Sequence, residues 1–213
     1  MKNVREIFGD IDIYLFDQIQ KGRFAPGMKI LDAGTGGGRN VIYFMRMGCN
    51  VFAVDRNAES VEQVKRLART LAPDLPPENF QTAAVENLPF PDKHFDCVIS
   101  SAVLHFAENK EQFDQMLKEM WRVLKPNGML FARLASSIGI ENLIIPTGNG
   151  RYKLPDGSER FLVNEDFLMT APENLGGQLL EPIKTTNVQN LRCMTTWVLN
   201  KKSDQRLTRV YFP

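Results

Sequence analysis

The chain has few of the residues that build disulfide frameworks or metal centres. Its 213 residues include only three cysteines and two histidines. Cys49, Cys97 and Cys193 are odd in number and widely separated, so they form neither a disulfide framework nor a paired metal-ligand spacing. We therefore predict no metal site and expect a reducing, intracellular compartment.

Long apolar runs and an excess of one charge are also absent. No segment approaches about 18 uninterrupted apolar residues, and the amino terminus is charged at once, so we expect no membrane span and a cytoplasmic protein. Twenty-six basic and 25 acidic side chains give a formal net charge of +1. This balance provides no field to hold a polyanion, which argues against nucleic acid as a partner.

The most informative segment is an apolar strand that runs into a glycine cluster. Residues 28–33 are followed by Gly34, Gly36 and Gly38. Glycine adopts backbone angles closed to other residues and lets a ligand lie against the main chain. A dinucleotide fingerprint needs glycine at the sixth position counted from Gly34, and that position is Arg39. The spacing therefore argues against a nicotinamide cofactor.

A carboxylate follows at the distance that a nucleoside pocket requires. Residues 50–55 have the pattern of a buried parallel strand that ends at Asp55, about 20 residues after the glycine turn. A ribose diol needs an acceptor at this position. The alternative is that Asp55 helps to cap the helix after Asn57, and we favour ribose binding.

Strands alternate with helices along most of the chain, which predicts a parallel, doubly wound sheet. Residues 3–24 have apolar positions at helical spacing. Strands are predicted at 28–33, 50–55, 79–85, 95–100 and 128–134, and helices at 38–47, 57–72 and 109–124. Glycine and proline recur through residues 136–180, so we expect an irregular, partly helical segment that covers the site. The β-rich runs 183–188 and 193–199 predict a terminal hairpin.

Several of these segments resemble one known family. The pattern Asp32-x-Gly34-x-Gly36-x-Gly38 resembles motif I of the class I methyltransferases that use S-adenosylmethionine. Residues 86–101 look like the third and fourth motifs of that family, and residues 113–130 are similar to its helix and turn before strand five. The resemblance covers roughly residues 28–135, in family order. The context of Gly38-Arg39-Asn40 also resembles tellurite-resistance methyltransferases.

The resemblance implies an architecture. We expect a doubly wound, seven-stranded Rossmann-like sheet with helices on both faces and one antiparallel strand at the end. The chain would form a single methyltransferase domain, 1–213. Its parts would be an amino-terminal helical cover at 1–27, a cofactor-binding core at 28–135, a lid-like insertion at 136–180 and a terminal hairpin at 181–213.

The resemblance also implies which residues bind S-adenosylmethionine. Gly34 and Gly36 would approach the ligand, whereas Gly38 serves either the ligand or helix packing. Asp32 would orient the loop or reach the amino acid portion of the cofactor, although capping the turn is an alternative. Arg39 would meet the cofactor's carboxylate, unless it is a solvated side chain of the first helical turn.

The adenine end departs from the family pattern. Related enzymes commonly carry Asp-Ala before the run that begins at Glu86, and here those positions are Ala84 and Val85. Val85 would offer its backbone amide to the adenine, and Glu86 is the nearest carboxylate that can replace the missing acid. Arg56 would stack on the adenine or remain exposed. Ser100 ends strand four at the mouth of the pocket.

His105 matches a position that is often histidine in this family. It would act as a base or as a donor that orients the acceptor, and a purely structural histidine is the alternative. We expect methyl transfer to a small-molecule acceptor by in-line displacement. Two other hypotheses are a non-catalytic S-adenosylmethionine-binding partner subunit and an NAD-dependent oxidoreductase. The sequence leaves the acceptor and the oligomeric state open.

Overall fold

A mostly parallel sheet forms the centre of the computed structural model, which describes residues 3–203. The strands of this sheet are β1 Lys29–Ala33, β2 Asn50–Asp55, β3 Phe80–Thr82, β4 Phe95–Ser101, β5 Leu124–Ser136, β9 Gly177–Leu179, β10 Lys184–Val188 and β11 Arg192–Lys201. Their order in the sheet is β10-β11-β5-β4-β1-β2-β3, and β9 pairs with β11 outside this path. Strands β1 to β5 pair in parallel, as predicted.

β10 and β11 form an antiparallel hairpin within the range 181–213 expected for it, and β11 runs against the other strands. Residues 204–213 of that range lie outside the described residues. β11 pairs antiparallel with β5, so that Trp197 lies opposite Ala132. β10 and β9 both pair antiparallel with β11 and therefore run in the direction of β5. The expected doubly wound sheet is thus present, with β9 as an additional strand that the sequence did not predict.

Helices cover both faces of this sheet. They are α1 Val4–Phe8, α2 Ile13–Gln20, α3 Ile42–Arg46, α4 Ala58–Leu71, α5 Lys110–Val123 and α6 Glu165–Asn174. Neighbouring strand residues point to opposite faces, so Ile30 packs in the cluster that includes Val64 of α4, while Leu31 packs in the cluster that includes Met116 of α5. These two apolar clusters hold the strand ends in place.

The helix after the glycine cluster begins later than predicted. We expected it to start at residue 38, but α3 begins at Ile42 because Gly38 has a φ of 79° and residues 39–41 form turns. A left-handed residue cannot continue a right-handed helix. The result is a longer loop between β1 and α3.

Residues 136–180 contain more regular structure than their composition predicted. Strands β6 Ile145–Gly148, β7 Arg151–Lys153 and β8 Glu159–Phe161 form a separate antiparallel sheet, and α6 follows. The glycines lie mainly at turns, where Gly150 and Gly157 have φ of 79° and 82°. The expectation of irregular structure was therefore wrong for this small sheet, although the predicted helical part is present as α6.

This segment packs firmly on the core. The ring of Phe161 stacks on Phe113 with centroids 4.7 Å apart, and the Trp197 indole N–H donates to the Leu168 carbonyl oxygen at 2.9 Å.

Within residues 3–203 none of the helices combines the length and the apolar character needed to cross a membrane. Over the same range the three cysteines are free and buried, and His, Cys, Asp and Glu side chains form no cluster suited to a metal ion.

Candidate functional site

A cavity of about 520 Å³ opens at the carboxyl ends of β1, β2 and β4. We call it the nucleoside cavity. Of the predicted cofactor residues, those that line it are Gly34, Gly36, Asp55, Arg56 and Val85. The parallel strands end at a common edge, and this is why residues distant in sequence meet there.

The loop after β1 is wound tightly over the end of β2. The backbone N–H groups of Gly34 and Thr35 both donate to the Val54 carbonyl oxygen at 2.9 Å. Gly34 has a φ of +83°, and a Cβ atom there would lie 2.5 Å from Cγ2 of Val103. Only glycine fits at this position, because any side chain would strain the backbone and collide with Val103.

Asp55 is bound to the same loop. Its Oδ2 accepts a hydrogen bond from the backbone N–H of Gly36 at 2.8 Å, and its Oδ1 accepts one from the backbone N–H of Asn57 at 2.9 Å. A carboxylate offers about four lone-pair sites, so acceptor capacity remains toward the cavity. Both readings of Asp55 are therefore compatible with the structure, since it supports the turn before α4 and lines the cavity.

Gly38 and Asp32 lie behind the lining. A Cβ on Gly38 would lie 2.9 Å from Val64 and 3.1 Å from Leu67, so this glycine allows α4 to pack closely. Asp32 accepts from the Thr35 hydroxyl at 2.9 Å and is 1% exposed. Burial raises the pKa of Asp32 to about 7. Its hydrogen bond with Thr35 stabilises the loop after β1.

Arg39 belongs to a polar cluster that the sequence did not reveal. Its guanidinium contacts Oδ2 of Asp12 at 3.4 Å and the hydroxyl of Ser101 at 3.3 Å. Arg133 donates to the same Asp12 oxygen at 3.0 Å. We call Asp12, Arg39, Ser101 and Arg133 the Asp12 cluster. It joins the segment before α2 to the ends of β4 and β5, and Arg39 is not in the lining of the nucleoside cavity.

The predicted adenine end contains polar groups without partners. Among the described residues the Val85 backbone N–H has no acceptor. Oε1 of Glu86 accepts from Gln112 at 2.9 Å and lies 3.8 Å from Arg56, whereas Oε2 is buried and has no partner within residues 3–203. Ser100 is likewise fully buried with an unpartnered hydroxyl in that range. Neither Glu86 nor Ser100 is in the lining of the nucleoside cavity.

His105 lies beside a second cavity rather than in the nucleoside cavity. Its Nδ1 accepts a hydrogen bond from the Ala135 backbone N–H at 3.2 Å. In the neutral ring the proton is therefore assigned to Nε2. Burial, with the positive charges of Arg160 and Arg133, lowers the pKa of His105 to about 4. This arrangement favours a hydrogen-bond donor and disfavours a base, because the free nitrogen already carries its proton.

The second cavity has a volume of about 270 Å³ and is lined by arginines. We call it the arginine cavity. Arg133, Arg160 and Arg192 reach it from β5, β8 and β11. Ala102 lines both cavities, so they are neighbours. Sequence reasoning missed these arginines because Arg160 lies 27 positions after Arg133 and 32 positions before Arg192, and no local pattern joins them.

Comparison with known proteins shows that part of the chain resembles methyltransferases. A family model described as a methyltransferase domain matches residues 31–132. The chain is 35% identical over 123 residues to an uncharacterized methyltransferase, YodH, of Bacillus subtilis, which covers 58% of this chain and 47% of that protein. It is 36% identical over 108 residues to the ubiquinone/menaquinone biosynthesis C-methyltransferase UbiE of Vibrio cholerae, covering 49% of this chain and 40% of that protein.

Solved structures show the same fold over most of the chain. A Burkholderia thailandensis 1,6-didemethyltoxoflavin-N1-methyltransferase, solved with bound 1,6-didemethyltoxoflavin and S-adenosylhomocysteine, matches with a TM-score of 0.69 at 18% identity, covering 92% of this chain and 80% of that one. The [4+2]-cyclase SpnF matches with a TM-score of 0.69 at 15% identity, covering 89% and 80%. At these identities the likeness concerns the fold alone.

Residues 31–132 thus match a methyltransferase domain, and the chain has the fold of S-adenosylmethionine-dependent methyltransferases. The cofactor of this class is S-adenosylmethionine. The alignments span about half, or less, of the curated relatives named above, covering 47% and 40% of them.

Proposed function

We propose that the protein transfers a methyl group from S-adenosylmethionine to a small-molecule acceptor by in-line displacement. The observation that carries this proposal is the contact between Gly36 and Asp55 at the edge of the nucleoside cavity. It places a carboxylate with remaining acceptor capacity directly beside a main-chain turn.

The residues of the nucleoside cavity fit the cofactor. Asp55 would accept from the ribose hydroxyls, while the loop at Gly34 and Gly36 leaves room for the ligand against the main chain. The unpartnered N–H of Val85 would donate to the adenine ring. Glu86 lies outside the lining of the cavity, but it has a buried oxygen without a partner in the described chain. It remains our candidate acceptor for the adenine amino group, in place of the acid absent at Ala84.

The remaining predicted residues would act indirectly. Asp32 would hold the loop through Thr35, and Gly38 would allow α4 to approach. We propose that Arg39 positions the amino-terminal segment through Asp12 rather than contacting the cofactor's carboxylate, and that Arg56 borders the adenine. The narrower likeness to tellurite-resistance methyltransferases stays a prediction.

The cofactor supplies an electrophilic methyl group on a sulfonium, so the chain has to orient the acceptor and exclude water. Orientation alone accounts for roughly 7–11 kcal/mol of such barriers. This chemistry needs no nucleophilic residue of the protein.

Calorimetry with S-adenosylmethionine, S-adenosylhomocysteine and NAD tests the cofactor, and a screen of small molecules with methyl-labelled donor tests the transfer. We expect micromolar binding of the first two ligands, none of NAD, and labelled product with a subset of acceptors. Binding of NAD alone would favour the oxidoreductase hypothesis. Cofactor binding without transfer to any acceptor, alone or with a partner chain added, would favour the non-catalytic subunit.

A further inference from the structure

Three arginines from separate parts of the chain line the arginine cavity. Arg133 comes from the core sheet, Arg160 from the small sheet and Arg192 from the terminal hairpin. Asp156 is the acidic residue in its lining. Arg133 and Arg160 are partly buried and Arg192 is exposed. The fold thus gathers three arginines at one cavity in a chain whose formal net charge is only +1.

The carboxylates nearby do not neutralise this charge. Asp156 contacts Arg192 at 3.5 Å and also accepts from the Ser158 hydroxyl at 2.6 Å. Asp12 serves Arg133 and Arg39 together, at 3.0 and 3.4 Å. With two arginines sharing one aspartate, positive charge remains on the Arg133 side of the cavity.

Arg160 carries the charge that is least compensated. Within residues 3–203 no carboxylate forms an ion pair with it, and its guanidinium donates only to the Glu159 carbonyl oxygen, at 2.7 Å. The same guanidinium lies over the ring of Phe106, 4.9 Å from the centroid. Phe106 lines the nucleoside cavity, so Arg160 contacts a residue of that cavity while lining the arginine cavity.

Two further donors in this lining have no partner. Nε of Arg133 is buried and makes no hydrogen bond within the described residues. His105 uses Nδ1 to accept from Ala135, which leaves its Nε2–H as a donor without an acceptor in the same range. Unpaired donors at a buried site are costly unless a ligand satisfies them.

We propose that the arginine cavity binds the methyl acceptor and that the acceptor carries an anionic group, a carboxylate or a phosphate, held by Arg160 and Arg133. A planar guanidinium matches the paired oxygens of either group, and partial burial strengthens the attraction. Nε2–H of His105 donates a further hydrogen bond to the same ligand. This inference rests on the proposed methyl transfer: Ala102 lines both cavities and Arg160 packs on Phe106 of the nucleoside cavity, so the ligand would lie beside the bound cofactor.

The test measures binding and needs no turnover. The full chain, with and without saturating S-adenosylhomocysteine, is titrated at low salt with benzoate against benzamide and with phenyl phosphate against phenol. We expect at least one anion to bind ten-fold or more tightly than its neutral analogue, and the pair that shows this preference separates a carboxylate from a phosphate. Equal affinities within both pairs would overturn the proposal.

Variants locate the anion. Arg160→Gln should reduce affinity for the preferred anion at least ten-fold and leave affinity for S-adenosylhomocysteine unchanged. Arg66→Gln, on the exposed side of α4, removes the same charge elsewhere and should change neither. A loss no greater in Arg160→Gln than in Arg66→Gln contradicts the assignment.

Two further readouts keep the result clear. Arg160→Lys retains the charge but not the planar guanidinium, and it replaces Arg160→Gln if that variant fails to fold. We expect its affinity for the preferred anion to be at least three-fold below that of the wild type. Wild-type affinity in this variant would refute a paired contact. If the wild-type protein fails to bind S-adenosylhomocysteine, the proposed methyl transfer is wrong, whereas the titrations without that ligand still decide the anion preference.

Discussion

The backbone N–H of Gly36 donates to Oδ2 of Asp55 at 2.8 Å, joining the loop after β1 to the end of β2. The two elements that the sequence marked as separate parts of a cofactor site are therefore one hydrogen-bonded unit. A change at either residue should affect the other, because the carboxylate fixes the loop and the loop fixes the carboxylate.

Replacing Asp55 should weaken cofactor binding. We expect Asp55→Ala to lower the affinity for S-adenosylhomocysteine by about 1–3 kcal/mol, since it removes the proposed ribose acceptor and the Gly36 contact together. Asp55→Asn should lose less, because its amide oxygen still accepts from Gly36. Asp74→Ala, in an exposed loop, serves as the control. Unchanged affinity in a folded Asp55→Ala protein, measured by calorimetry, would mean that the ribose assignment is wrong.

Two glycines of the loop should respond differently to alanine. Gly34→Ala should lower the free energy of unfolding by more than about 2 kcal/mol, because its Cβ would lie 2.5 Å from Val103 in a left-handed backbone. Gly36 has a φ of +51° and no atom within 4 Å of an added Cβ. We expect Gly36→Ala to cost only about 1–2 kcal/mol in stability while reducing cofactor affinity, because the methyl group enters the cavity.

Gly48→Ala is the matched control for this pair. Its φ is +78°, and an added Cβ would meet nothing within 4 Å, but it lies outside the cavity lining. Chemical denaturation and calorimetry should show for it the stability loss of Gly36→Ala without the loss of affinity. Full cofactor affinity in Gly36→Ala would argue that the ligand does not approach this turn.

Local sequence patterns were sufficient for the parallel sheet but not for the second cavity. β1, β2 and β4 are short apolar runs bounded by turn residues, so composition alone indicates them. β9 and the small sheet consist of three- or four-residue strands that are too short to show a period. Arg160 and Arg192 meet through tertiary packing, and the partnership of Arg39 with Asp12 likewise depends on how the amino-terminal segment folds back.

The buried carboxyl group of Asp32 should make stability fall as pH rises. Burial raises its pKa from 3.8 to about 7, so between these values the folded state holds a proton that the unfolded state has released. Without cofactor, Asp32→Asn should remove this dependence, and its stability relative to wild type should rise by up to roughly 4 kcal/mol between pH 4 and pH 7. The same difference in stability between the two proteins at pH 4 and at pH 7, measured by denaturation, would contradict the raised pKa of Asp32.

Residues 136–177 should respond unevenly to cofactor. α6 is fixed by the buried Leu168 and by its contact with Trp197, so its amides should exchange slowly in both states. The small sheet is joined to the core partly through a hydrogen bond from Arg151 to the Ala107 carbonyl oxygen, beside the nucleoside cavity. We expect hydrogen exchange of β6 to β8 to slow when S-adenosylhomocysteine binds. Strong, equal protection with and without ligand would mean a rigid insertion and no lid.

His105 offers the sharpest contrast between its predicted and observed surroundings. A base with an unperturbed pKa near 6.5 would make turnover fall as pH drops through that value, and His105→Ala would lower the rate by about 10²–10⁴. In the structure, Nδ1 accepts a hydrogen bond from the Ala135 backbone N–H. Burial and the nearby arginines lower the pKa of His105 to about 4, so the side chain is neutral at pH 5 and above. We therefore expect no inflection near pH 6.5 from this residue.

Stability and turnover together decide what His105 does. Because its pKa is lowered in the folded state, the stability it contributes is present above about pH 6.5 and is lost as pH falls toward 4, by up to roughly 3 kcal/mol. His105→Gln retains an acceptor for Ala135 and a donor toward the arginine cavity, without a titrating group. It should flatten this pH dependence and keep more turnover than His105→Phe, which retains the ring but neither hydrogen bond. If Gln and Phe reduce turnover equally by a hundred-fold or more while cofactor affinity holds, and the wild-type rate inflects near pH 6.5, the residue acts as a base despite its surroundings.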